Sequence, residues 1–214
     1  MESLARGGTR WKRFALVMVP SMAATAAIGI GLAQGALAAS FSISGQEFKV
    51  TADSLVGHDF VQYGSVASGK DLEGNPFAEP VAVSGFSTAT ITNMCQSVVT
   101  PKVPFVGNVS LELTAGTDPD NPVTAKDLYL DVSYLEADAE FRNIDIGVAA
   151  GSVGAPGIQP GTEGKVNANG FAQRADLATL TDVKQKAWAT TAGTFKLSGL
   201  KLKLHKGVKE CFPG

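Results

Sequence analysis

The chain is predicted to fold as an all-β protein, either as sandwich-like β-layers or as a short β-solenoid with rungs of 16–20 residues. Two observations lead to this prediction. Apolar and polar residues alternate with a period of two in segments that begin at Ser40, Val109, Leu128 and Leu200, and Gly and Pro recur between the segments. Such alternation is typical of strands with one buried face, and the Gly and Pro residues mark turns.

The last of these segments makes the most specific prediction about burial. Its leucines alternate with Lys201 and Lys203. Because successive strand residues point to opposite faces, a core beneath one face buries the leucines and leaves both lysines in solvent. We therefore expect the following residues to be buried: Leu200, Leu202 and Leu204.

A six-residue pattern also recurs: apolar, any residue, apolar, any residue, a small or turn-prone residue, apolar. Its copies begin at Val50, Ala89, Val123, Ala139, Ala178 and Phe195. The spacings lie near one or two units of 16–20 residues, which favours stacked rungs that bury their faces against each other, with Asn, Asp or Gly at the corners. Chance similarity among the strands of a sandwich explains the same pattern, so both architectures stay open.

Two segments depart from the strand pattern. Residues 149–170 are rich in Gly, Pro and Asn and predict one long surface loop. Residues 171–189 have some helical composition, although the alternation of Leu177, Thr179 and Thr181 weakens a helix prediction.

The N-terminus has the organisation of a secretory signal peptide. Four basic residues precede an uncharged apolar run over 14–33, and a small-x-small site follows at 36–38. We predict cleavage between Ala38 and Ala39, which leaves residues 39–214 as a single β-rich domain, secreted or held in the cell envelope. The alternative is a retained anchor, because about 20 apolar residues can span a bilayer. No second long apolar run occurs, so no stable transmembrane segment is expected after cleavage.

Charge narrows the range of partners. The chain has 18 basic and 20 acidic side chains; without the four basic residues and one acid of the leader, 14 and 19 are left, a net charge of −5. Nucleic-acid binding needs a basic footprint and is therefore disfavoured. Residues 184–209 hold seven lysines and no acid. Lys196, Lys201 and Lys203 are candidates for contact with an acidic envelope polymer or anionic lipid, and ordinary solvated lysines on an edge strand are the alternative.

Cys95 and Cys211 are the only cysteines. In an exported chain such a pair most often forms a disulfide. The two residues are 116 positions apart, and the loop-entropy model gives about 4–5 kcal/mol of stabilisation for a loop of that length.

Catalytic and metal-binding motifs are scarce. The Gly-x-Ser-x-Gly elbow of esterases is missing, and with two histidines the base of any Ser-His-acid system must be His58 or His205. Glu136, Asp138 and Glu140 alternate on one strand face and can offer oxygen ligands to calcium, but a solvated acidic face explains them more simply. We predict no metal site and no cofactor.

Several segments resemble a largely uncharacterised family of exported actinobacterial proteins. They are residues 9–14, 34–41, 89–97 and 191–195 and the terminal pair 210–211. The resemblance covers nearly the whole chain. Some members carry the name cholesterol esterase, so the resemblance implies a secreted hydrolase of steryl esters as one possibility. The residues themselves favour a non-catalytic binding or structural module for a surface polymer, a lipid or a partner protein.

Overall fold

The computed structural model describes residues 43–213, and this part of the chain forms ten β-strands and two short 3₁₀ helices. The strands are β1 (Ile43–Ser44), β2 (Phe48–Lys70), β3 (Pro76–Thr92), β4 (Met94–Val103), β5 (Gly107–Ala115), β6 (Val123–Arg142), β7 (Asp145–Ala149), β8 (Phe171–Thr191), β9 (Thr194–Lys196) and β10 (Lys201–Lys206). The all-β prediction is confirmed. The predicted signal peptide and its cleavage site lie outside the described residues.

All strands belong to one sheet in the order β10-β5-β4-β2-β3-β6-β8-β7, with β9 beside β6. β2 also pairs with β8, from Phe48 to Tyr63, so the sheet closes on itself through β2, β3, β6 and β8. We call these four strands the strand ring. All pairings are antiparallel except that of β1 with β2. The two layers expected of a sandwich are thus opposite walls of one closed sheet, and the strands do not stack as the rungs of a solenoid.

Three strands extend the sheet beyond the strand ring; we call β4, β5 and β10 the wing. β4 joins β2 through three residue pairs, from Lys49 opposite Ser97 to Thr51 opposite Cys95. β5 pairs with β4, and β10 pairs with β5 as the outermost strand. One cross-strand row runs through six strands, in the order Leu135, Gln185, Val50, Gln96, Leu113, Leu202. The inner face of the strand ring therefore continues onto one face of the wing.

The recurring six-residue pattern builds the core inside the strand ring. Four copies bury their first, third and sixth residues there: Val50, Ala52 and Leu55; Ala89, Ile91 and Met94; Val123, Ala125 and Leu128; Ala178, Leu180 and Val183. Simple alternation would turn the sixth residue to the opposite face.

The fifth residue of the pattern explains why the sixth faces inward. In five of the six copies this residue has a left-handed backbone, with φ between 49° and 63°: Asn93, Asp127, Asn143, Asp182 and Gly199. A left-handed residue turns the chain, and this turn returns the next side chain to the inner face. Gly adopts this conformation freely, and Asn and Asp adopt it more readily than most other residues. The predicted Asn, Asp or Gly corners are therefore present, as bends between or within the strands of an antiparallel sheet.

Residues 149–170, which are largely irregular as predicted, cover part of the outer face of the strand ring. Two buried tyrosines hold this segment. The Gln159 backbone N–H donates to the Tyr63 hydroxyl at 2.7 Å, and the Tyr129 hydroxyl donates to the Pro156 carbonyl at 3.0 Å. A second apolar core forms beneath the segment, separate from the core inside the strand ring.

Two predictions about individual strands are wrong. The segment with some helical composition forms β8, because a strand lets it bury apolar residues on both faces: Ala178 and Leu180 in the core inside the strand ring, and Ala172 and Ala189 in the second core. Leu200, Leu202 and Leu204 are 49%, 56% and 69% exposed instead of buried, because β10 is the outermost strand and no other described layer packs over it. Lys201 and Lys203 are exposed as predicted.

Candidate functional site on the wing

The C-terminal tail, residues 207–213, crosses one face of the wing. The Ser110 hydroxyl donates to the Gly207 carbonyl and accepts from the Lys209 backbone N–H, both at 2.8 Å. Further along, the Cys211 N–H donates to the Ser97 hydroxyl at 2.9 Å. Both serines are buried and hydrogen-bonded, as buried polar groups must be. This face of the wing is therefore closed by the tail.

The predicted disulfide fastens the tail. Cys95 and Cys211 are bonded, with their Cα atoms 5.9 Å apart. Beside them, Lys49 Nζ donates to a Glu210 carboxylate oxygen at 2.7 Å and to the Phe212 carbonyl at 3.2 Å. The same ammonium lies 5.1 Å from the centroid of the Phe212 phenyl ring. Hydrogen-bonded partners of this kind compensate the desolvation of a buried charge, so the tail is held to β2 as well as to β4.

His205 lies near the tail, beside an acid and a buried serine. Its Nε2 is 3.1 Å from Glu112 Oε2, and Lys209 Nζ is 2.8 Å from the same oxygen. The hydrogen bond from Lys209, together with the charge of that lysine, holds the pKa of Glu112 below its usual range. Ser110 is paired with His205 in register, yet its hydroxyl donates to a backbone carbonyl. The trio therefore has the residue types of a Ser-His-acid system without the serine-to-base hydrogen bond that activates a nucleophile.

His58 occupies an exposed position in the middle of β2. Its cross-strand partners are Thr88 on β3 and Leu177 on β8, and neither provides a carboxylate that could orient an imidazole. The structure places the two candidate bases on different strands, β2 and β10, with separate surroundings.

The three alternating acids lie on an exposed stretch of β6. Glu136 accepts hydrogen bonds from the Tyr134 hydroxyl at 2.7 Å and from Lys184 Nζ at 2.9 Å, and these bonds lower its pKa. Asp138 and Glu140 are exposed. Residues 43–213 contain no group of three or more side chains placed to hold a metal ion. The calcium alternative therefore has no ligand cluster in this part of the chain.

The opposite face of the wing is apolar and open. In register, Leu204 of β10 lies beside Leu111 of β5, which lies beside Val98 of β4. The next row places Leu202 beside Leu113. The leucines of β10 are more than half exposed, whereas those of β5 are partly covered. A contiguous exposed apolar patch with a polar rim is typical of an interaction surface.

The hairpin between β4 and β5 ends in a second apolar feature. Phe105 is fully exposed, with a relative accessibility of 109%, and the adjoining Val106 is 42% exposed. Lys102 and Phe105 both have left-handed backbones, with φ of 55° and 66°. This conformation costs a residue with a Cβ atom about 1–2 kcal/mol. Strain of this kind is concentrated at functional sites, where the surrounding structure maintains it.

Lysines lie around the wing: Lys206 shares the face of Leu202 and Leu204, whereas Lys201 and Lys203 point to the other face of the same edge strand. Lys102 lies at the hairpin tip, and Lys201, Lys203 and Lys206 lie along β10; all four are exposed. The only acid in the three wing strands is Glu112, which already contacts Lys209 and His205. The wing therefore carries an excess of positive charge.

The structure brings together only part of the predicted basic surface. Lys201 and Lys203 share one face of β10, whereas Lys196 lies on β9, beside Thr124 of β6. The sequence interpretation missed Phe105 and Val106. The signal that could have found them is an apolar Pro-Phe-Val run placed directly before a turn glycine, Gly107.

The fold and this surface define an all-β protein with a closed antiparallel sheet and an open wing that is both apolar and basic. Residues 44–212 match the model of a family described as Family of unknown function (DUF6230), and the chain belongs to this family. No curated protein and no solved structure matches the chain. The expected membership of an uncharacterised family is thus confirmed, while an actinobacterial origin and the name cholesterol esterase stay predictions. None of the helices within residues 43–213 has the length and apolar character needed to cross a membrane.

Proposed function

We propose that the protein is an exported, non-catalytic binding protein of the cell envelope or extracellular space, and that its wing docks on an anionic lipid surface. The observation that carries this proposal is the solvent-exposed side chain of Phe105 at the hairpin tip. Transfer of a phenylalanine side chain from water to an apolar environment is worth about 1.5–3 kcal/mol. Phe105 obtains this stabilisation when it enters the acyl boundary of a membrane interface.

The leucines of β10 add to the same apolar surface. Leu202 and Leu204 are exposed on the face that continues through Leu111 and Val98. A peripheral protein binds a membrane more strongly as it buries more apolar area. Phe105, Leu202 and Leu204 together therefore give the wing a far larger exposed apolar area than Phe105 alone.

Charge favours an anionic lipid over a neutral one. Each lysine near an anionic leaflet contributes about 1 kcal/mol, and the attraction is screened beyond about 10 Å at 0.1 M salt. The wing has four exposed lysines, of which Lys206 lies on the face of Leu202 and Leu204, Lys102 lies at the hairpin tip, and Lys201 and Lys203 lie on the other face of the open edge. By contrast, residues 39–214 as a whole carry a net charge of −5. This asymmetry orients the wing toward a negative surface and the remainder of the molecule away from it.

A second copy of the chain fits the wing less well than a lipid surface does. Pairing of two β10 edges would bring Lys201 and Lys203 of both copies together, and lysines on edge strands oppose such pairing. The disulfide supports the proposed compartment, because such bonds persist outside the reducing cytosol.

Vesicle co-sedimentation tests the proposal. The purified protein is mixed with vesicles of phosphatidylcholine alone or of phosphatidylcholine with phosphatidylglycerol, at low and high salt. We expect binding to the anionic vesicles that weakens with salt. Phe105→Ser should weaken this binding about tenfold or more. The matched control is Phe171→Ser, which removes another exposed phenylalanine on β8, outside the wing, and should leave binding unchanged.

Other outcomes point to other occupants. If Lys201→Gln/Lys203→Gln weakens binding but Phe105→Ser does not, the ligand is an anionic polymer and the lipid proposal fails. If Leu202→Ser/Leu204→Ser converts a dimer to a monomer without a change in vesicle binding, the apolar face joins two copies of the chain. Equal binding to neutral and anionic vesicles would contradict the role of the lysines.

The steryl ester hydrolase implied by the family resemblance is the competing hypothesis. It predicts turnover of cholesteryl or nitrophenyl esters that disappears in His58→Ala or His205→Ala. A folded protein without turnover, which still binds vesicles, supports the binding function.

A further inference from the structure

The core inside the strand ring is not completely filled. A cavity of about 160 Å³ lies between the four strands. β6 pairs with β3 only as far as Val132, and from Tyr134 to Arg142 it pairs with β8. Leu135 and Ala139 lie on this stretch, line the cavity and are exposed to solvent. They mark the mouth of the cavity.

The walls of the cavity are mostly apolar, and none of the residues that line it is charged. Three phenylalanines are grouped there: the phenyl centroid of Phe60 lies 5.5 Å from that of Phe86 and 5.1 Å from that of Phe141. Aromatic rings at such distances present both edges and faces to a neighbouring ring. The cavity therefore suits a flat or compact hydrocarbon group.

A few neutral polar groups interrupt the apolar wall. Gln62 Nε2 donates to the Ser84 hydroxyl at 2.9 Å, and Gln173 Nε2 donates to Gln62 Oε1 at 2.6 Å. Gln62, Ser84 and Gln185 all line the cavity, and the latter two are buried. A mostly apolar pocket with a small number of placed polar groups is the usual composition of a small-molecule site.

We propose that this cavity binds a small, uncharged, largely hydrocarbon ligand with one hydrogen-bonding atom, of about the size of phenol. Well-packed cores leave few voids larger than a water molecule, and an apolar cavity of about 150 Å³ in another protein binds benzene. A charged ligand would lose its hydration without gaining a counter-charge. The volume is too small for a whole sterol. This site lies in the strand ring and does not depend on lipid docking by the wing.

Titration of methyl resonances by NMR tests the proposal on the purified protein, with benzene, phenol and benzoate as probes. Benzene and phenol should shift the methyl signals of Leu55, Leu130 and Leu180 in a saturable manner, and benzoate should not. Ala137→Phe places a phenyl group in the cavity and should weaken phenol binding at least tenfold. Ala78→Phe, on an exposed part of β3, is the matched control and should bind as the wild type does.

Because a phenylalanine at position 137 can disturb the fold, Leu135→Trp at the mouth is the second variant. It leaves the inner walls intact and should slow ligand exchange at least tenfold. The proposal is overturned if benzene and phenol give no saturable shifts, which is the result for a cavity that holds only water. It is equally overturned if phenol binds Ala137→Phe and Ala78→Phe alike, or if benzoate competes with phenol.

Discussion

The side-chain amide of Asn93 donates to both carboxylate oxygens of Asp53, at 3.1 Å each, across 40 positions of the chain. The amide of Asn143 makes the same kind of bond to Asp176 at 2.7 Å. Both asparagines are left-handed fifth residues of the six-residue pattern. The same side chain therefore tolerates the left-handed conformation of the bend and ties the bend to an aspartate on another strand.

Substitution of Asn93 separates these two roles. Asn93→Gly removes the hydrogen bond but keeps a residue that adopts positive φ freely, whereas Asn93→Ala also places an unfavourable Cβ atom there. The free energy of unfolding should be about 1–2 kcal/mol lower in Asn93→Ala than in Asn93→Gly, as measured by urea denaturation. Asn169→Ala, at an exposed site outside the positive-φ residues, should change it by less than about 0.5 kcal/mol. If both Asn93 variants lose the same free energy of unfolding, the left-handed backbone conformation does not determine stability at this position.

The six-residue pattern marks the core residues of the fold, although its copies do not stack as the rungs of a solenoid. The apolar positions of four copies form most of the inner core, and the turn-prone position is left-handed in five copies. The periodicity describes only the local structure of each strand. It therefore cannot predict that β2 pairs with β8, and this pairing closes the sheet. The exposed hairpin tip at Phe105 and the cavity beside Phe60 depend on what lies across the sheet, and a single sequence does not record this.

The leucines of β10 show that the alternation of apolar and polar residues does not by itself predict burial. Alternation assigned Leu202 and Lys201 to opposite faces, which is correct, but it could not show whether another layer covers the leucine face. Because Leu202 is 56% exposed, Leu202→Ala should destabilise the protein by less than about 1 kcal/mol. Leu128→Ala, at a fully buried core position, should cost about 2–5 kcal/mol. Urea denaturation compares the two, and a loss at Leu202 as large as that at Leu128 would indicate a covering layer.

The disulfide should stabilise the wing as well as the chain as a whole. Its two cysteines are 116 positions apart, and removal of a native disulfide from a secreted domain typically costs about 2–5 kcal/mol. Cys95→Ala/Cys211→Ala avoids free thiols and should lower the free energy of unfolding by that amount. Hydrogen exchange at the backbone amides of positions 209 and 211, which donate to buried serines in the wild type, should become faster in the variant. An unchanged denaturation midpoint would contradict the stabilising role.

Because Tyr63 and Tyr129 are buried beneath residues 149–170, we expect the free energy of unfolding to fall in alkali. Burial raises the pKa of both Tyr63 and Tyr129 from 10.0 to about 12. A raised pKa means that the folded state holds the phenolic proton more tightly than the unfolded state does. This contribution to stability is fully present below pH 10 and is lost as the pH rises from 10 to about 12.

The free energy of unfolding of the wild type should therefore fall more steeply between pH 10 and 12 than that of Tyr63→Phe/Tyr129→Phe. At pH 7 the double variant should be less stable by about 1 kcal/mol or more, because the Gln159 N–H loses its acceptor and the Pro156 carbonyl its donor. Tyr134 is the matched control: it is exposed, so solvent screens its interaction with Glu136, and Tyr134→Phe should keep most of the wild-type slope. Urea denaturation at a series of pH values measures all three slopes. If the double variant keeps the full wild-type slope, proton release from these two buried hydroxyls is not what destabilises the protein in alkali.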